Sequence, residues 1–496
     1  MMPIFYLSFS DSAKFAQAAA NLLAGRSLVI GHSFFDVKLL AAYQSGNLFS
    51  TKIFPFTPWL LSLFFRFLPS SDQTIAIAGW LTFLLSTLVI FLIARKLHRS
   101  TSALIAAIIF FFSLPFWEYA SNASSEIFFT LQVLLMVYLF LSRFRWLALL
   151  PLALMFFTRQ QATIVFLSLG TTAVLLFLSS AKSLRFKLLT LAFIFIAVFE
   201  LTNFLLPNAF LPLSPFQAIG AINLPANTSQ GQFLRGQHVP GSISSLQLIS
   251  KVFYNTYNYL KNLTPLTSPT IFSLFILGFF LPKSSTRLKN FNLFSLTIFG
   301  LFILAASATL PNVRYVHPII PLVIIGASIT LTHLVHRPLA IALVMFLILL
   351  PALGHLTLDA RFRRQQFNLD KPPVYRQIST LMAENIPKGK LVITNLDAWA
   401  AWYEGLTTMW FPLSPDLLEG YQDKVSYIVI TNYKEHDGDF ALGEWREVAY
   451  SPDQIKNQFL KDNYRILKTF TISSDQVYEN QAYQGTILVR RQPTSI

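Results

Sequence analysis

Ten apolar segments, separated by connections that are alternately basic, constrain this chain more than any other feature of its sequence. A helix needs about 20 apolar residues to cross a bilayer core of about 30 Å, and fewer where other helices enclose it. The segments are residues 74–95, 102–120, 125–142, 145–157, 161–179, 187–206, 267–282, 291–309, 315–335 and 338–354. Residues 1–355 are therefore predicted to form an all-α polytopic membrane domain of about ten transmembrane helices.

Charge fixes the predicted orientation of these helices. Five alternate connections, at residues 95–99, 143–145, 182–187, 283–289 and 337, carry twelve Lys and Arg side chains and no acid. The positive-inside rule places them in the cytoplasm and both termini outside, as expected for a multi-pass protein of the cytoplasmic membrane.

The acidic side chains of the membrane part give a second indication. All six lie in predicted outer connections or near the outer ends of helices: Asp11, Asp36, Asp72, Glu118, Glu126 and Glu200. A carboxylate in hydrocarbon is costly unless it faces a polar cavity, so this one-sided distribution predicts a shared cleft at the outer face. For Asp72 alone, a solvated loop position is the simpler expectation.

Composition excludes several classes of protein. A chain with 54% hydrophobic and only 12% charged residues is not a soluble enzyme. Residues 1–355 hold 22 Lys and Arg residues and 6 acids, whereas residues 356–496 hold 16 Lys and Arg residues and 17 acids. The net charge of +15 therefore comes from the membrane part and reflects its topology, so nucleic acid is not an expected partner. The absence of cysteine excludes disulfides, thiolate metal sites and a cysteine nucleophile. No cofactor is indicated, and a requirement for a divalent metal ion is left open.

The first outer region, residues 1–73, has two predicted helices that lie along the membrane surface. Residues 11–25 place Phe15, Leu22 and Leu23 on one face, and a second helix begins at Thr57. The loop between them holds His32, Asp36, Lys38 and Lys52. The opening MMPIFYLSF lacks a basic start and a cleavage site, and it resembles the end of a transmembrane helix whose beginning is absent.

Two further regions lie outside the predicted membrane helices. Residues 207–266 form an outer loop long enough to act as a cover over a substrate site, with a helix near 244–260. Residues 356–496 are predicted to form an extracytoplasmic α/β domain, with strands in 388–395, 425–432 and 485–492 and a helix at 396–405. In that helix Trp399, Trp402 and Tyr403 are expected in the core rather than against a sugar.

Polar residues at two further outer turns complete the predicted site. Arg159 lies in the turn TRQQ and is expected to be a buried cation, and Arg314, Tyr315 and His317 lie in LPNVRYVHPIIP. Several candidate site residues also have an alternative, purely structural interpretation. Asp11 and Glu126 could cap or begin helices, Arg314 could fix its turn through an acid, Tyr315 could anchor at the interface, and His317 could be a hydrogen-bonded residue at a helix start.

The order of these motifs resembles that of the GT-C glycosyltransferases, in particular bacterial relatives of the protein O-mannosyltransferases and of the lipid A aminoarabinose transferase. The matching elements are Asp11 in SDSAKF, the following ANLLAG, FPFTPWL, Glu126, the TRQ turn and VRYVHPIIP. The likeness covers most of residues 8–335, and it departs from the family where Ser12 replaces a common second acid and where the usual first transmembrane helix is missing. That departure suggests a late start codon or a fragment.

The resemblance implies a GT-C membrane domain that moves a sugar from a polyprenyl-phosphate donor to a lipid, glycan or protein acceptor. It implies Asp11 as the base, Glu126 as an assisting acid and Arg159 or Arg314 as the phosphate-binding cations. Lys52, Asp36, Tyr315 and His317 are further expected substrate-binding residues. A surface polysaccharide polymerase or ligase, which also uses lipid-linked sugar, is the main alternative. A lipid-linked sugar flippase is a weaker one, since it would need acids near mid-membrane.

Overall fold

A computed structural model of the chain describes residues 6–44, 46–50, 54–178, 235, 243–264, 266–281, 285–358, 372–473 and 482–491. Its helices of five or more residues are α1 Ser10–Leu23, α2 Val37–Ala42, α3 Phe56–Phe65, α4 Asp72–Leu97, α5 Ser100–Phe111, α6 Leu114–Ser121, α7 Ser125–Phe140, α8 Leu149–Phe156, α9 Ala162–Leu178, α10 Ser245–Lys261, α11 Pro269–Phe280, α12 Thr286–Ala308, α13 Ile320–Leu334, α14 Pro338–Leu358, α15 Val374–Asn385, α16 Asp397–Glu404, α17 Arg446–Tyr450 and α18 Gln458–Asn463.

The predicted helical membrane domain is confirmed in outline. Each predicted apolar segment within the described residues contains a helix, whereas the segment 187–206 and Glu200 lie outside them. Among the described residues, three helices are long and apolar enough to cross a membrane, and a bent pair makes a fourth. Six others are shorter apolar helices of 10–17 residues, so the number of ten crossings stays a prediction.

The segment predicted as one helix over 102–120 is in fact broken. Helices α5 and α6 meet at an angle of 61°. Pro115 lies in the first turn of α6, where a proline is tolerated, but it cannot continue α5 because it has no N–H to donate to the preceding turn. The bend gives α6 a direction different from that of α5.

Close contact between α4 and α6 depends on a residue without a side chain. A Cβ atom added at Gly79 would lie 1.9 Å from the carbonyl oxygen of Ala120. Helices in membranes commonly approach through small residues, since van der Waals packing replaces the hydrophobic driving force there. Gly79 therefore sets the position of α6.

The C-terminal region is an α/β domain whose sheet includes more strands than the sequence predicted. Its six strands run in the order His32–Ser33, Thr407–Trp410, Leu391–Thr394, Tyr427–Thr431, Ala482–Arg490 and Tyr464–Ser473. The first four are parallel to one another, and Ala482–Arg490 runs antiparallel to both of its neighbours, Tyr427–Thr431 and Tyr464–Ser473. The edge strand His32–Ser33 comes from residues 1–73, so the boundary proposed at residue 356 does not separate the sheet from the N-terminal part.

The membrane helices and the α/β domain are joined through Asp72, and the expectation that this residue is a solvated loop acid is wrong. Asp72 is 8% exposed. Its carboxylate accepts hydrogen bonds from the Trp402 indole at 2.7 Å, the Tyr403 hydroxyl at 2.6 Å and the Leu7 amide at 3.2 Å. The expectation that Trp399 is a core residue is confirmed, because it is 1% exposed.

We expect Gly79→Ala to destabilise the protein by about 1–3 kcal/mol, the usual effect of overpacking, because the new methyl group meets backbone that cannot turn aside. Gly300→Ala is the matched control, since no atom lies within 4 Å of an added Cβ atom in that mid-helix position. Thermal unfolding of both variants in detergent measures the difference. Equal midpoints would contradict the close approach of α4 and α6.

Candidate active site

A buried polar turn between α6 and α7 positions the residues of the site. Asn122 is 1% exposed, and its side-chain oxygen accepts hydrogen bonds from the amides of Ser8 at 2.8 Å and Phe9 at 3.1 Å. Its amide nitrogen donates to the Glu118 carbonyl at 2.9 Å. The next residue, Ala123, has φ of 41°, a left-handed conformation that non-glycine residues seldom adopt. This turn brings the start of α1 beside the start of α7.

Glu126 is the centre of the site. Its side chain is 1% exposed, and its Oε1 atom accepts from Nη1 of Arg159 at 2.8 Å and from Nη2 and Nε of Arg314 at 2.8 Å and 3.0 Å. Its other oxygen, Oε2, is buried and has no hydrogen-bond partner among the residues that the structure describes. Because a buried carboxylate without a partner is costly, the Glu126 side chain holds both guanidinium groups in place.

Arg159 is held from the turn between α8 and α9. Its Nε donates to Gln161 at 3.0 Å and its Nη1 donates to the Ser125 hydroxyl at 2.8 Å, in addition to the Glu126 contact. The side chain is 11% exposed, so the prediction of a buried cation here is confirmed.

Arg314 joins the buried part of the site to its open part. It lies in a single turn of 3₁₀ helix, Val313–Tyr315, and its amide donates to the Asn312 side chain at 3.0 Å. Its Nη2 is 3.6 Å from Oδ2 of Asp11, and its guanidinium carbon is 4.7 Å from the centre of the Phe9 ring. Arg314 and Asp11 have side chains 30% and 48% exposed, so these two groups face the outside of the cluster.

The structure therefore brings four of the predicted site residues into one cluster: Asp11, Glu126, Arg159 and Arg314. Tyr315 lies beside it, with its ring centre 6.0 Å from the Arg159 guanidinium. His317 is 3% exposed, and its Nδ1 is hydrogen-bonded to the Tyr119 hydroxyl.

Two predicted substrate-binding residues are not placed in this cluster. Asp36 is exposed, and its Oδ1 caps α2 by accepting from the amides of Lys38 at 2.7 Å and Leu39 at 3.2 Å. Capping by the short side chain of Asp is a common structural role, and it was missed because α2 was not predicted. Lys52 lies outside the described residues.

A second layer of charge lies between α1 and the α/β domain. Lys14 follows Asp11 by one helical turn, and its ammonium is 4.9 Å from the centre of the Phe34 ring. Burial lowers the pKa of Lys14, against the attraction of Asp11 and Asp397. Burial raises the pKa of Asp397 to about 7, opposed by the Ala398 amide and by Lys14. Sequence reasoning missed Asp397 and also Asn122, whose only signal was a polar SNASSE run between apolar segments.

The residues described include no group of three or more His, Asp or Glu side chains that could hold a metal ion. The cluster is instead a set of arginines and carboxylates at one end of a helical membrane domain.

Comparison with known proteins gives one partial match by sequence. A family model described as dolichyl-phosphate-mannose-protein mannosyltransferase matches residues 53–203, a segment that contains Glu126 and Arg159 but neither Asp11 nor Arg314. Among curated proteins, none matches the chain by sequence.

Solved structures of two GT-C enzymes share the fold. The archaeal oligosaccharyltransferase AglB from Archaeoglobus fulgidus, in complex with an inhibitory peptide and a dolichol-phosphate, superposes with a TM-score of 0.52 at 12% identity, over 94% of this chain and 76% of that chain. ArnT from Cupriavidus metallidurans in the apo state superposes with a TM-score of 0.50 at 12% identity, over 98% of this chain and 94% of that chain. At this identity the likeness concerns the fold.

We expect Glu126→Gln to lower the free energy of unfolding by about 3–5 kcal/mol, because it removes the carboxylate that pairs with the buried Arg159 and leaves Arg314 only its longer contact with Asp11. Asp11→Asn should change it by less than about 1 kcal/mol, since that pair is half-exposed and separated by 3.6 Å. Chemical unfolding of the two variants in detergent compares them. A Glu126→Gln protein as stable as the parent would disprove the central position of Glu126.

The raised pKa of Asp397 predicts a pH dependence of stability. Between about pH 4 and pH 7 the unfolded chain loses the Asp397 proton while the folded chain keeps it, so this residue makes stability fall as pH rises through that window. Asp397→Asn should flatten that part of the profile. Thermal midpoints from pH 4 to pH 8 test this, with Asp453→Asn as a surface control. Parallel profiles for all three proteins would refute it.

Proposed function

We propose that this chain is a membrane glycosyltransferase that moves a sugar from a polyprenyl-phosphate donor to an acceptor hydroxyl at the outer face of the cytoplasmic membrane. The observation that carries the proposal is the contact of the half-exposed Asp11 with Arg314. The guanidinium of Arg314 also forms an ion pair with the buried Glu126. The family model and the shared fold support it independently.

The residues suit each part of such a reaction. The acceptor oxygen forms a bond to the anomeric carbon of the sugar, and the bond from that carbon to the phosphate oxygen of the lipid breaks. The acceptor proton passes to the Asp11 carboxylate, and the bonding electrons leave with the lipid phosphate. Asp11 is the only acid of the four-residue cluster open enough to reach an acceptor, because the Glu126 side chain is 1% exposed.

Arg314 is the group proposed to receive the departing phosphate. Its side chain is 30% exposed, against 11% for Arg159, and a guanidinium can grip phosphate oxygens in a bidentate manner. Its 3.6 Å separation from Asp11 is longer than a close ion pair, and the exposed part of its side chain is where the phosphate would approach. Charge developing on the leaving phosphate is stabilised by a group already in place.

Glu126 takes a positioning role in this proposal rather than that of an assisting acid. It holds Arg159 and Arg314 through one oxygen and thereby removes the need to reorganise the cations during the reaction. Tyr315 and His317 support the same turn, with His317 anchored on Tyr119.

The orientation of the molecule follows from the same proposal. The basic connections lie in the cytoplasm, and the cluster and the α/β domain lie outside, where α16 packs on α1 next to Asp11. The acceptor, whether lipid, glycan or protein, would approach from that side.

Asp11→Asn is expected to reduce transfer by about 10²–10⁴-fold, because an amide cannot take the acceptor proton. The assay incubates purified protein with a panel of polyprenyl-phosphate sugars and measures the release of the free lipid phosphate. Asp453→Asn makes the same chemical change on an exposed surface of the α/β domain and should leave the rate unaltered.

Membrane insertion and thermal midpoint are measured for both variants, so that loss of activity is separated from loss of fold. Full activity in the Asp11→Asn protein would exclude Asp11 as the base. Release of lipid phosphate by neither the parent nor the control, from any sugar of the panel, would count against the transferase itself.

A further inference from the structure

A cavity lies in the helical domain at a distance from the Asp11 cluster. It has a volume of about 330 Å³, is open on one side, and is lined by residues of α7, α9 and α12. Its walls are largely apolar, with Met136, Phe140, Leu169, Leu176 and Phe294 among the lining residues. Met136 follows Glu126 by ten residues on α7, which at 1.5 Å per residue places it about 15 Å along the helix from the Asp11 cluster.

Two arginines and one asparagine give this apolar cavity a cationic rim. Arg145 lies just beyond the end of α7, and Arg287 and Asn290 lie on the first turns of α12. Both arginine side chains are exposed, and the described residues that line the cavity include no acid. The combination of a guanidinium pair with an apolar wall matches a molecule that carries an anionic phosphate on a hydrocarbon chain.

We propose that this cavity binds an anionic membrane phospholipid, with its phosphate between Arg145 and Arg287 and one acyl chain along Phe140 and Phe294. Charge complementarity selects this occupant, because a zwitterionic lipid would bring its own ammonium group against two cations. The same end of the domain carries the basic connections of the predicted cytoplasmic side, where anionic lipids attract polybasic segments.

The site is independent of the proposed sugar transfer. It uses none of the residues of the Asp11 cluster, and the bound phospholipid would not be consumed in any reaction. A lipid at this position would hold together the ends of three helices that originate far apart in the sequence, at α7, α9 and α12.

Native mass spectrometry of the full chain in detergent tests the proposal with phosphatidylglycerol and phosphatidylcholine of identical acyl chains. We expect phosphatidylglycerol to be retained about 10- to 30-fold more strongly, as two cations near an anionic headgroup predict. The double variant Arg145→Ala/Arg287→Ala should lose that preference. The double variant Arg143→Ala/Lys289→Ala is the matched control, since it removes two exposed charges from the same two regions without touching the cavity.

A further variant separates the contribution of the cavity to lipid binding from that of the two arginines at its rim. Ala173→Trp keeps both arginines and fills the space between the helices, so it should also reduce phosphatidylglycerol retention. Thermal midpoints of lipid-free protein confirm that each variant is folded.

Three results would overturn the proposal: equal retention of the two lipids by the parent, equal loss in both double variants, or full retention in Ala173→Trp. Displacement of bound phosphatidylglycerol by one equivalent of polyprenyl phosphate would overturn it as well, because it would assign the cavity to the donor lipid.

Discussion

The ion cluster centred on Glu126 is the interaction on which the rest of the site depends. A carboxylate that is 1% exposed accepts from two guanidinium groups that come from different turns of the chain, at Arg159 and Arg314. In apolar surroundings an unpaired charge is far more costly than a paired one, so the three turns that supply these side chains cannot separate independently. The cluster therefore fixes both the geometry of this end of the helical domain and the orientation of Arg314 toward Asp11.

The α/β domain is built onto the same end through buried polar contacts. Asp72 receives hydrogen bonds from Trp402 and Tyr403, and Gln17 of α1 donates to the Ala401 carbonyl at 2.9 Å. The short strand His32–Ser33 adds an edge to the sheet of the domain. Because α1 carries Asp11 and packs on α16, the position of this proposed base depends on the α/β domain as well as on the membrane helices.

Much of the helical domain could be predicted from the sequence, because hydrophobicity and length report directly on burial in a bilayer. The helices α4 and α12, the amphipathic α1 and the strands Leu391–Thr394 and Tyr427–Thr431 were expected near their observed positions. The break between α5 and α6 was missed, although Pro115 could have indicated it. A strand of two residues such as His32–Ser33 has no periodicity to detect, and only its partner strand creates it.

The site was predictable in composition but not in geometry. The one-sided acids and the outer arginines indicated a shared cleft, and the family resemblance ordered them. Glu126 and Arg314 are 188 residues apart, and no local pattern could reveal that one oxygen of Glu126 serves two arginines. The roles of Asp72 and Asp397 were likewise hidden, since both depend on burial between distant segments.

A structure of the full chain with a bound polyprenyl phosphate tests the central claim most directly. The account predicts that the phosphate lies within hydrogen-bond distance of the Arg314 guanidinium, on the side of the cluster that Asp11 faces, while Glu126 remains paired to both arginines. A phosphate bound away from Arg314, or one that displaces Glu126 from it, would contradict the account.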